Sequence, residues 1–148
     1  MPVDLKSVIC SDERKLFVGI GNVLKSDDGI GVYIAQRIHE SNTIKKLVVE
    51  VSIENYIGKI NRIPHDVLIL IDAVNFQQEP GFVALLTPGE IMDYTATTHN
   101  LSISRLPGFF KSPLWVLGIQ PQSLSFGESI SEPVKRQADS ILKLINAI

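Results

Sequence analysis

Apolar residues fall into two kinds of pattern along this chain. Leu16 to Gly21 (LFVGIG), Val67 to Ile71 (VLILI), Phe82 to Leu86 (FVALL) and Leu114 to Ile119 (LWVLGI) are short and almost uninterrupted, and Leu47 to Ile53 (LVVEVSI) is rich in β-branched residues. Runs of that length without polar alternation predict strands covered on both faces, as in a parallel sheet. Elsewhere the spacing is helical. Ile30, Ile34, Ala35 and Ile38 share one face, Ile57 and Ile60 mark a short helix within Glu54 to Ile60, and Val134, Ala138, Ile141, Ile145 and Ile148 form a C-terminal stripe. Ser131 is placed to cap that last helix, with Pro133 tolerated in its first turn. Pro80-Gly81 marks a turn before FVALL. The alternation predicts an α/β fold, a three-layer α/β/α sandwich with a mostly parallel five-stranded twisted sheet.

Length and composition narrow the picture. With 148 residues, 45% of them apolar and 20% charged, the chain is expected to form a single domain over residues 1–148 and not a disordered segment. A net charge of −2 lacks the basic footprint that nucleic acid or an anionic membrane requires. No apolar run is long enough to span a bilayer, and the first residues, MPVDLKSVICSDERK, carry acids where a signal peptide carries bases, so a cytoplasmic location is expected. Cys10 is the only cysteine, which excludes an internal disulfide and any multi-cysteine metal site; it is read as a small apolar residue and not as a catalytic thiol.

In open α/β sheets the ligand crevice lies beyond the carboxyl ends of the strands. Asp27 and Asp28, in the loop after LFVGIG, and Asp72, at the end of VLILI, fall there by pattern alone. His99, in the polar turn Thr97-Thr98-His99-Asn100, is allowed there. Two carboxylates and an imidazole make a three-ligand set that leaves positions open on a divalent cation, suited to zinc, nickel, iron or manganese. Asn22 and Asn100 either shape a binding groove or stabilise their own loops, while His39 and His65 have no such company and read as structural. Gly21, Gly29 and Gly31 would let the backbone turn and a partner chain approach closely. Gly19-Ile20-Gly21 does not complete a dinucleotide fingerprint, because the third glycine position is Leu24 and two acids stand where phosphate would sit. No serine lies in a G-x-S-x-G elbow.

The stretches VGIGNVLKSDDGIGV (Val18 to Val32), LILIDAV (Leu68 to Val74), TTHN (Thr97 to Asn100) and GIQPQSLSFGESISEPV (Gly118 to Val134) closely resemble the hydrogenase maturation endopeptidases, most nearly the branch that serves formate-hydrogenlyase-type enzymes. The resemblance implies an endopeptidase that removes the C-terminal extension of a [NiFe] hydrogenase large-subunit precursor once nickel has been inserted. It further implies that Asp28, Asp72 and His99 are at once the metal ligands and the catalytic groups, the nickel being supplied by the substrate, with no organic cofactor. Asp27 matches an acid that the family does not use as a ligand; it is read as a helix N-cap, and Asp27→Asn is accordingly expected to be nearly silent. Two other classes fit the same residues: a metal-dependent hydrolase acting on a small molecule, and a non-catalytic chaperone that senses nickel.

Overall fold

The computed structural model describes residues 4–93 and 106–148. The two apolar runs without a break, LFVGI and VLILI, form the middle of a sheet: β1 (Lys15–Ile20) and β3 (Val67–Ala73) are buried along their whole length. With β2 (Ile44–Glu50), β4 (Val83–Leu86) and β5 (Leu114–Ile119), they make a five-stranded sheet in the order β2-β1-β3-β5-β4. The first four strands in that order are parallel, and β4 runs antiparallel to β5 along the edge.

Because side chains alternate across a strand, one unbroken apolar run feeds two cores. Phe17, Ile69, Ile71, Leu117 and Ile119 pack under α2 (Ile30–Arg37) and α4 (Glu132–Asn146), which contribute Ile30, Ile34, Val134, Ala138 and Ile141. Leu16, Val18, Leu68, Leu70 and Val116 face the other way, against Ile53, Phe76 and Ile60 of α3 (Ile57–Arg62). This is the layered α/β arrangement expected from the apolar runs. A further short helix, α1 (Leu5–Ile9), precedes β1, with Ile9 reaching the first core. Cys10 ends that helix and is exposed, so the apolar environment expected for it is absent.

Two boundaries moved for physical reasons. β2 begins at Ile44 and not at Leu47, since an edge strand tolerates an exposed Lys45 and a half-buried Lys46, and it stops at Glu50, whose φ of 54° leaves extended geometry. Ser131 is indeed the residue before α4, but it makes no side-chain cap; its hydroxyl is engaged elsewhere. Among the described residues, no helix is long and apolar enough to cross a membrane.

The amino ends of β1 and β3 are tied by Arg14 and Asp66. The guanidinium donates to both carboxylate oxygens at 3.1 Å, and the Arg14 backbone N–H donates at 2.9 Å. The Arg14 side-chain hydrogen bond, then the backbone one, hold the Asp66 carboxyl down at about 2. A carboxyl lowered on folding stabilises the native state above its unfolded pKa of about 3.9, and this contribution is lost as pH falls from there towards 2. Arg14→Ala is expected to return the Asp66 carboxyl towards the ordinary carboxylate range, read by NMR titration of its side-chain carbon.

Candidate functional site

The strand order turns back between β1 and β3, since β1 is followed by β2 on one side and flanked by β3 on the other. Ligands of open α/β sheets bind outside the carboxyl ends at such a reversal. The register pairs Gly19 with Ile71, so the chain leaving β1 and the Asp72 position stand side by side.

The first loop is built to present Asp28. Gly21 has a φ of 151°, and a Cβ there would run into the backbone carbonyl of Asp28, so the chain folds back tightly on itself. Asn22 Oδ1 accepts from the Leu24 N–H at 2.9 Å, an Asx turn, and the Asn22 N–H donates to Asp28 Oδ2 at 2.9 Å. Asn22 therefore serves its own loop with its side chain and Asp28 with its backbone. A 3₁₀ turn over Ser26–Gly29 then leads into α2. Asp28 is 5% exposed.

Asp72 lies on β3 opposite Gly118 and is 1% exposed. Its Oδ1 accepts from the Ala73 N–H at 2.9 Å. Burying a carboxylate costs several kcal/mol unless hydrogen bonds or a cation compensate, and a backbone N–H meets each of these two. His99 and Asn100 lie outside the described residues, and among those described no trio of His, Cys, Asp or Glu could hold a metal ion. Of the other histidines, the His39 backbone N–H donates to Asn146 Oδ1 at 2.8 Å, and His65 Nδ1 lies 2.6 Å from the Ile63 carbonyl.

Asp27 is not an N-cap. Lys25 precedes the 3₁₀ turn and Gly29 precedes α2, neither with a side-chain cap bond. Asp27 is fully buried and accepts from the segment before α4 instead. Its Oδ2 takes the Gln122 N–H at 2.8 Å, the Ser123 N–H at 3.1 Å and the Ser131 hydroxyl at 2.7 Å, while Oδ1 takes the Ser131 N–H at 2.7 Å. An amide cannot accept on both sides, so Asp27→Asn is expected to lose part of this set.

A sequence profile described as hydrogenase maturation protease (HycI) matches residues 32–148. The chain belongs to the hydrogenase maturation protease family. Members of this family are endopeptidases. Similar relatives include a putative hydrogenase maturation protease of Methanocaldococcus jannaschii, 28% identical over 92% of this chain and 86% of that protein. The hydrogenase 3 maturation protease of Escherichia coli K12 is 26% identical over 82% of each. Among solved structures, the [NiFe] hydrogenase maturation protease HycI of Thermococcus kodakarensis superposes with a TM-score of 0.83 at 26% identity, covering 97% of both chains.

Within this maturation protease, the residues that reading by pattern missed are Gln122 and Ser123, which bond Asp27, and Gln120 just before them. Gln120 is 7% exposed; its Oε1 accepts from the Phe76 N–H at 2.6 Å and its Nε2 donates to Asn75 Oδ1 at 3.2 Å. The available signal was a dense polar run, QPQSLS, directly after an apolar strand.

Proposed function

We propose that this protease removes the C-terminal extension from the large-subunit precursor of a [NiFe] hydrogenase, in the cytoplasm, after nickel has been inserted. Nickel is part of the substrate in this reading. Asp28 and Asp72 supply carboxylate oxygens and His99 an imidazole nitrogen towards it, a donor set that suits nickel. The observation that carries the reading is the pair of buried carboxylates at the strand reversal, each accepting from a backbone N–H. Fixed carboxylates keep the same orientation with and without substrate. Recognition of a metal already seated in the precursor then lines up the scissile peptide beside them. One carboxylate takes a proton from the attacking water as its oxygen adds to the peptide carbonyl, and the same carboxyl returns that proton to the nitrogen as the C–N bond breaks and the amine leaves.

The test is to incubate the purified protein with nickel-loaded and with nickel-free precursor and to weigh the large subunit by mass spectrometry. Shortening of the nickel-loaded form alone is the expected result. Shortening of both forms removes the nickel requirement. A stable complex that is never shortened would make the protein a chaperone, and turnover of a small molecule without precursor would make it a different hydrolase.

A further inference from the structure

We propose that Asp27 is a positioning residue for the cleavage chemistry: its buried carboxylate clamps residues 122–131 to the first loop and so fixes Asp28 relative to Asp72. The inference rests on Asp28 and Asp72 being the site's carboxylates. Backbone bonds reinforce the clamp, with the Ser26 N–H donating to the Gly127 carbonyl at 2.7 Å and the Asp27 N–H to the Ser123 carbonyl at 3.1 Å. Four hydrogen bonds converge on the one carboxylate, three from backbone N–H groups and one from a hydroxyl, all from residues 122–131.

The same segment is bonded at its other end to the chain leaving Asp72. The Val74 N–H donates to the Ile119 carbonyl at 3.0 Å, and Gln120 holds Asn75 and the Phe76 N–H. Residues 119–123 are therefore a short strut. One end grips the loop just after Asp72, and the other grips the residue just before Asp28. Asp27 itself has both oxygens engaged by these donors, so its part in the reaction runs through Asp28.

The experiment compares the full-length parent, Asp27→Asn and Ser131→Ala in two measurements: processing of nickel-loaded precursor, and amide hydrogen exchange of the protein alone. Asp27→Asn is expected to lower kcat at least ~30-fold, as a misplacement of about 1 Å can do, with KM within about threefold of the parent. Exchange should quicken at Asn22 and Ala73, whose N–H groups hold Asp28 and Asp72, while Leu16 and Leu70 in the core strands keep parental protection. Quickening confined to Gln122, Ser123 and Ser131, or spread evenly through β1 and β3 with parental kcat per folded molecule, overturns the proposal. If Asp27→Asn does not fold, Ser131→Ala decides, since it keeps the three backbone donors and loses only the hydroxyl. A severalfold lower kcat with faster exchange at Asn22 supports positioning, and parental values of both overturn it. Should the parent itself leave the precursor intact, the functional reading fails, while the exchange data still decide whether Asp27 fixes the two acids.

Discussion

Asp72→Asn is expected to slow shortening of the nickel-loaded precursor by at least ~100-fold, the scale on which a lost acid–base or charge-stabilising group is felt. The substitution is nearly isosteric and its amide oxygen still accepts from the Ala73 N–H, so the strand end keeps its bond. What it removes is the charge at the end of β3. Asp28→Asn follows the same logic: the amide oxygen still meets the Asn22 N–H, and the loop stays closed. Both variants should keep the fold, because each retains the backbone hydrogen bond that its carboxylate accepts. Mass spectrometry of the precursor against time checks the rate, and circular dichroism checks the fold. Parental cleavage by Asp72→Asn would remove it from the chemistry, and parental cleavage by both would place the site elsewhere.

The contrast with Asp27 shows which parts of this site could be read from the sequence. Asp28 lies in the loop after β1 and Asp72 near the carboxyl end of β3, and the rule that crevices lie at the carboxyl ends of parallel strands puts both in one place from pattern alone. Asp27 stands beside Asp28 with the same chemistry and the same local signal. Local rules identified the right kind of bond, a carboxylate accepting backbone N–H groups before a helix, but the wrong donors. The true donors are 95 to 104 residues away, in a segment whose approach depends on where β5 and α4 pack. Nothing in a local window encodes that distance.

The sheet divides the same way. β1, β3 and β5 lie in the interior of the order, and their continuous apolar runs placed them closely. β2 is an edge, so its opening lysines broke the run and displaced its apparent start. α1, only five residues long, offers too little periodicity to be seen. That β4 reverses direction depends on its pairing with β5, which composition does not carry.

Gly31→Ala is expected to cost about 3 kcal/mol or more, above the usual range for overpacking because the obstacles are backbone and cannot change rotamer. A Cβ at this position, one residue into α2, would sit well inside van der Waals contact of the Ile71 and Ile20 carbonyl oxygens. Both belong to the central strands, locked by pairing on either side. The close approach that this glycine permits is thus to the protein's own sheet, whereas the sequence suggested room for a partner chain. For a domain of this size, such a loss lowers Tm by roughly 10 °C. Gly89→Ala is the control, since a Cβ there meets nothing within 4 Å, and it should melt with the parent. The consequence also reaches the site. α2 begins directly after the 3₁₀ turn that carries Asp28, so lifting the helix from the strand ends lifts that carboxylate away from Asp72. Surviving folded Gly31→Ala should therefore process precursor more slowly per folded molecule than the parent, and an unchanged Tm would mean that α2 does not rest on β1 and β3 at this glycine.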